Sequence, residues 1–168
     1  MRIIGLLLQT ASLWLSYLTK CALVVAATVM VGSLLLGVFY RYVLQDAVSW
    51  SEEIALLGFT WTIFLAAALA VREDAHVRVS IIDSIIPGLG DWILRQLIWV
   101  AIAAIGVFMI WSGMAFIDLT IRQVSAAMRY PLWYRNSALP VAGALILVYA
   151  AANIEGRAAF QARKATQS

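Results

Sequence analysis

The sequence predicts an all-α integral membrane protein with four transmembrane helices. Only 12% of its 168 residues are charged, against about a quarter in a soluble domain. Its mean hydropathy is +0.91. The charges are not scattered but fall between four uncharged stretches, at 21–40, 54–71, 96–117 and 136–154. A hydrocarbon core of roughly 30 Å needs about 20 helical residues at 1.5 Å each, and every stretch has that reach. Backbone groups in lipid must be satisfied within their own segment, which demands helices, and these runs are too long for barrel strands. One membrane domain, 1–168, is expected, with no repeat, no low-complexity segment and no soluble domain.

The elements follow in chain order. Residues 1–20 carry Arg2, then an apolar stretch, then Trp14, Tyr17 and Lys20, with a helix expected over 3–19. The run beyond Lys20 is longer than the apolar core of a cleaved signal peptide. The reading is a retained signal anchor, with an amphipathic interfacial helix leading into the first span and Trp14 and Tyr17 at headgroup depth. The span 21–40 ends on "FYRY". A short connection, Arg41–Glu53, then opens the second span with "SWSEEI". Ser49 or Ser51 can cap that helix, and Glu52 and Glu53 suit its positive end. Arg41 can pair with either glutamate across the turn.

After Arg72, the isoleucines at 81, 82, 85 and 86 share one helix face, and Pro87 and Gly88 end it. A second interfacial helix at about 80–86 is expected. Beyond the third span, Asp118 and Arg122 are spaced as a helix-surface pair. Ile117, Ile121, Val124 and Met128 would extend its apolar face until Pro131 breaks the helix. Ser33 and Gly37, and Ala66 and Ala70, are small-residue pairs that let helices approach closely. Packing within the chain is the plainer account of both.

Orientation follows from the basic residues. Arg2, Lys20, Arg72, Arg78, Arg95, Arg157, Arg163 and Lys164 lie on the side of the termini. Arg41, Arg122, Arg129 and Arg135 lie on the other. Eight against four puts both termini in the cytoplasm.

Chemistry is mostly excluded. One cysteine, Cys21, forbids an intrachain disulfide or a redox pair, and one histidine, His76, forbids bis-histidine haem within the chain. No cluster with metal-ligand spacing occurs, no phosphate-cradling glycine loop, and no basic block for nucleic acid. No span carries a charge in its middle, where a proton or ion pathway would place one. No cofactor is expected in this chain. Two classes remain: an accessory membrane subunit, or a stand-alone proton-coupled transporter acting as a homo-oligomer, with Glu52 or Glu53 as its proton site.

The stretch "FYRYVLQDAVSWSEEIALLGFTWTIFLAAALAVREDAHVRVSIIDSIIP", residues 39–87, resembles the small membrane subunit of TRAP (tripartite ATP-independent periplasmic) transporters. The resembling positions are Arg41, Tyr42, Trp50, Glu52, Glu53, Trp61, Ala66–Ala68, Arg72 and His76. The segment "YPLWYRNSALPVAGALILVY", residues 130–149, looks like that family's proline–aromatic entry to its fourth span. The resemblance implies a division of labour without ATP. A large membrane subunit would carry substrate and sodium as an elevator, and a periplasmic binding protein would capture an organic acid anion and deliver it. The small subunit would enlarge the immobile scaffold beside membrane lipid. The positions from Arg41 to His76 would then be structural and interface residues, and Arg122, Arg129 and Arg135 would help dock the binding protein.

Overall fold

A computed structural model describes the backbone of residues 2–46, 48–73 and 89–165, and side-chain surroundings for 12–46, 48–73 and 96–152. The expected helix at 80–86 and His76 lie outside the described residues. Among the described residues five α-helices form: α1 (Arg2–Phe39), α2 (Ser49–Arg72), α3 (Leu89–Thr120), the short α4 (Trp133–Asn136) and α5 (Ala138–Ala165). Four segments among them are long and apolar enough to cross a membrane: Ser12–Leu44, Ser49–Arg72, Gln96–Thr120 and Trp133–Ala152. The chain is thus an all-helical, multi-pass membrane protein.

The helices are not a closed ring. α1 packs chiefly along α2, α2 along α5, and α5 along α3, with a lighter contact between α1 and α5. α5 is therefore the centre: in the most apolar 18-residue stretch of each span, 44% of the residues are buried in Trp133–Ala152, against 6% in α1 and 11% in α3. Close approach is set by missing side chains. A Cβ on Gly143 would stand 2.7 Å from the Gly106 carbonyl oxygen, and one on Gly58 would stand 2.9 Å from that of Ala26. Ser33 is buried and Gly37 lies against Ser51, so that small-residue pair serves contact within the chain. In the second pair Ala70 is half-buried but Ala66 is exposed, so the pair as a unit does not line a contact within the chain.

α1 is one continuous helix of 38 residues, so the N-terminal segment is an extension of the first span and not a separate element. Its inward positions are Ser12, Ser16, Thr19, Leu23, Ala26, Met30, Ser33, Gly37 and Tyr40, spaced alternately four and three. That is the 3.5-residue period of a supercoiled seam. Outward stand Leu13, Trp14, Tyr17, Leu18, Val24, Val25 and Leu35, each at least 59% exposed. Hydroxyls inside and bulky apolar groups outside reverse the pattern of a soluble helix. A helix so arranged has hydrocarbon or a partner as its solvent. The buried hydroxyls bond within their own helix: Ser16 Oγ donates to the Leu13 carbonyl oxygen at 2.8 Å, and Thr19 Oγ1 to that of Leu15 at 2.8 Å.

Two ion pairs join α1 to α2. Lys20 Nζ meets Glu73 Oε1 at 2.7 Å near one end, and Arg41 Nη2 meets Glu52 Oε1 at 2.7 Å near the other. The basic partners are 21 residues apart (41 − 20), and so are the acidic ones (73 − 52). Helical rise makes that about 32 Å, the thickness of a bilayer's apolar core. Charges bracket this layer, and α1 continues past it on the side of the chain termini.

The apolar core lies near that terminus end. Tyr149 is fully buried among Ala68, Val71, Trp99, Ile146 and Ala150. Its hydroxyl shares a 2.9 Å hydrogen bond with Thr19 Oγ1. The Arg72 guanidinium stands 6.0 Å from its ring centroid, a cation–π distance.

Candidate functional site

The opposite end carries the connections 45–48 and 121–132, and most of the residues singled out by sequence converge there. α1 closes in a π-helical turn, Tyr40–Leu44, ended by Gln45 in the left-handed region at φ 55°. Tyr40 meets the Trp50 ring edge-on at 6.3 Å, which ties this turn to the start of α2. Tyr42 is 74% exposed and faces out of the chain.

α2 begins differently from the serine cap expected of it. Val48 occupies the cap position in an extended conformation and supplies no side-chain bond. Ser51 Oγ donates instead to the Val48 carbonyl oxygen at 3.0 Å. Ser51 is 1% exposed, since it is turned toward Gly37 of α1.

Glu52 and Glu53 are neighbours, so the helix turns their side chains about 100° apart. Glu52 reaches back to α1 and takes the Arg41 guanidinium, with the two side chains 63% and 57% exposed. Glu53 reaches forward to a segment more than seventy residues away. Its Oε1 accepts the Ala127 amide at 2.7 Å. Its Oε2 accepts the Met128 amide at 2.9 Å and the Ser125 hydroxyl at 2.7 Å. Successive backbone N–H groups curled around an anion form a nest, and here the anion is a side chain of the same protein. The expectation that both glutamates cap α2 is thus corrected for Glu53, whose oxygens satisfy a distant turn.

That turn belongs to a small hairpin. α3 stops at Thr120, so the expected helical continuation through Met128, with its Asp118–Arg122 spacing, does not form. Thr120 is held at the stop by its own helix and by Asn136: its Oγ1 donates to the Phe116 carbonyl oxygen at 2.8 Å and accepts Asn136 Nδ2 at 2.7 Å. The chain then doubles back. Val124 bridges Pro131, Ser125 N donates to Tyr130 O at 2.9 Å, and Leu132 N to Gln123 O at 3.0 Å. Pro131 therefore sits in the return strand and does not break a helix. At the tip, Arg129 adopts φ 54°, uncommon for a residue with a side chain.

The return leads into α4, where Trp133 and Tyr134 stack at 3.9 Å. Trp61 Nε1 donates to the Tyr134 carbonyl oxygen at 3.2 Å, a second tie between α2 and this region. An open depression of about 300 Å³ remains between α2 and the hairpin, lined by Ser49, Glu52, Glu53, Leu56, Ala126 and Ala127.

The structure thus brings Arg41, Trp50, Glu52 and Glu53 to one end, with Arg122 and Arg129 on the hairpin and Arg135 in α4, while Trp61 stands about 12 Å further along α2. Arg122 and Arg129 are exposed and Arg135 is half-buried. Arg72 lies at the opposite end against Tyr149. Sequence reasoning missed Ser125, Ala127 and Met128, whose role is carried by backbone and a hydroxyl. The only available signal was a helix-end threonine followed by a proline-terminated stretch without acids. No group of three potential metal-ligating side chains occurs among the described residues. The arrangement holds two bonded carboxylates, Glu52 on Arg41 and Glu53 on the hairpin tip.

Residues 30–159 match the family described as tripartite ATP-independent periplasmic transporters, DctQ component. The chain is 29% identical over 129 residues to the isethionate TRAP transporter permease protein DctMQ of Oleidesulfovibrio alaskensis. That match covers 70% of this chain and 20% of the relative. It is 38% identical over 60 residues to a protein of Haemophilus influenzae described as a TRAP transporter small permease protein, covering 36% of this chain and 37% of that one. The matched regions thus span well under two thirds of either relative.

Proposed function

Because the chain belongs to the DctQ component family of the tripartite ATP-independent periplasmic transporters, as a small permease subunit, we propose that it works as the fixed scaffold beside a large, moving membrane subunit. The family is a transporter component and not an enzyme family. In this reading the large subunit carries the substrate, an organic acid anion, together with sodium. A periplasmic binding protein delivers that anion, and this chain offers part of its docking surface. The complex sits in a bacterial inner membrane with both termini of this chain cytoplasmic, the side favoured by eight basic residues against four.

The observation that carries the reading is the openness of the helix array around a charge-free middle. α1 leaves most of its span exposed on the side away from its seam, with few residues fully buried by the chain itself. The stretch from Leu56 to Ala70 in α2, level with the bilayer centre, holds no ionisable residue. A wide apolar outer face suits a scaffold joined to another subunit and to lipid. A substrate or proton path would instead place charge where none stands. Two features of the relatives support the rest. One is named for isethionate, an organic anion, and its length leaves room for a large subunit beyond the part this chain matches.

Reconstitution tests the reading. Uptake of a radiolabelled organic anion into proteoliposomes is expected only when this chain, the large subunit and the binding protein are all present with a sodium gradient. Uptake or efflux by this chain alone, driven by a proton gradient, would overturn it.

A further inference from the structure

The hairpin 121–132 does not own all the groups that shape it. Its two ladder bonds close the base, but its tip turns the Ala127 and Met128 amides and the Ser125 hydroxyl toward a single point. Three donors converging there repel one another unless an anion sits between them. Glu53 of α2 is that anion. The segment itself supplies no acid from Leu119 to Asn136, and Glu52 is engaged by Arg41.

The outer surface of the same hairpin is basic and apolar. Arg122 and Arg129 are exposed, with no ion-pair partner among the described residues. Around them, Ile121, Val124 and Met128 are between 47% and 56% exposed. A hydrophobic centre with arginines at its rim is the composition of a protein-recognition patch. A headgroup layer is fluid and needs only positive charge, whereas a protein interface gains from a backbone fixed before contact. The bonds that fix this hairpin therefore favour a protein occupant.

We propose that Glu53 is a positioning residue: it latches the 121–132 hairpin so that Arg122 and Arg129 meet an acidic, apolar-centred patch on a soluble partner, the binding protein. The inference rests on the transporter-subunit reading above. Glu53 itself touches no partner. It acts through the tip, where Arg129 holds a left-handed backbone.

The test uses the small and large subunits co-purified in nanodiscs of neutral lipid, with the cognate binding protein immobilised. R129A and E53Q are each expected to weaken binding about five- to tenfold, as loss of a rim charge does. The double variant E53Q/R129A should bind within about twofold of either single variant, because the two changes remove one interaction. A purely structural role for Glu53 would instead give losses that multiply. S125A, which removes one of the three donors, should fall between wild type and E53Q. Trypsin cleavage after Arg129 should be faster in E53Q, whatever the partner does.

Each contrary result is distinct. If R129A weakens binding while E53Q and S125A do not, the latch is overturned and docking stands. If E53Q speeds cleavage while R122A and R129A bind as wild type, the hairpin is latched but the docking surface is overturned. If these arginine variants change retention on anionic nanodiscs and not affinity for the binding protein, the occupant is lipid. Should E53Q fail to assemble, S125A with the cleavage assay decides the latch alone. Uptake that still requires the binding protein in every variant keeps the transporter reading separate from these outcomes.

Discussion

The two ends of this helix array are held by different physics. At the terminus end Tyr149, Trp99, Ala68 and Ile146 interlock in a core, and polar contacts are added around it: Thr19 on the Tyr149 hydroxyl and Arg72 over its ring. At the loop end there is little apolar core. Glu53 binds backbone amides, Trp61 binds a backbone carbonyl, and Asn136 binds Thr120. Side chains packed on side chains give a firm anchor that reads no partner. Polar side chains spent on backbone fix the shape of a surface loop and leave its own side chains free for contact. The difference separates an end held by packed side chains from an end whose loop is shaped by hydrogen bonds.

Truncating the anchor should show the largest effect. Tyr149→Ala opens a cavity in the best-packed region and removes the hydrogen bond to Thr19, and is expected to cost about 3 kcal/mol or more. The thermal melting point of the purified subunit complex should fall by several degrees, while trypsin cleavage at the hairpin stays unchanged. Equal loosening of the hairpin would break the contrast between the ends. Asn136→Ala should come next, at about 1–2 kcal/mol, since it removes a buried hydrogen bond at the foot of the hairpin. Here the expected signature is reversed, with faster hairpin cleavage and a modest loss in melting point. Arg41→Ala should cost least, about 0–1 kcal/mol, because the pair with Glu52 is more than half exposed. A loss of assembly in that variant would show the pair to be part of an interface with another subunit.

The pairs at the two ends also sharpen the contrast through pH. The Glu73 carboxyl is held below the ordinary carboxylate value by the hydrogen bond from Lys20, then by the Lys20 and Arg72 charges, against some desolvation. A carboxyl depressed in the folded state adds stability above its unfolded pKa and loses it as pH falls through its folded value. Acid melting curves of wild type and Glu73→Gln should therefore converge as pH drops below the ordinary carboxylate range and separate at neutral pH. Curves that stay parallel throughout would remove Glu73 from the account.

Much of this was legible in the residues, for reasons that can be stated. Uncharged stretches of bilayer length marked the spans because lipid excludes charge so strongly that no packing context overrides it. Arg41 and the two glutamates were legible as an ionic corner because their opposite charges bracket a short connection. The seam of α1 was harder to see. Six of its nine positions are serine, threonine, alanine or glycine, so a search for apolar periodicity passes over it, though its four-three spacing is regular from Ser12 to Tyr40. The hairpin was misread as helix because Ile117, Ile121, Val124 and Met128 do fall at helical spacing. What ends α3 is a side chain sixteen residues on, Asn136, and what shapes the tip is a carboxylate on another helix. Local pattern carries neither fact.

The matched spacing of the two ion pairs between α1 and α2 constrains how such a chain can evolve. Adding one residue to α2 between Glu52 and Glu73 would move Glu73 about 1.5 Å along the axis and swing it about 100° around it, away from Lys20. The same holds for α1 between Lys20 and Arg41. A lineage that shifts to a thicker or thinner membrane and changes one helix alone would break one of the pairs. Changing both by the same number of residues, and by a number that restores the facing side, would keep them. Insertions and deletions in this pair should therefore be rare, matched, and counted in whole turns.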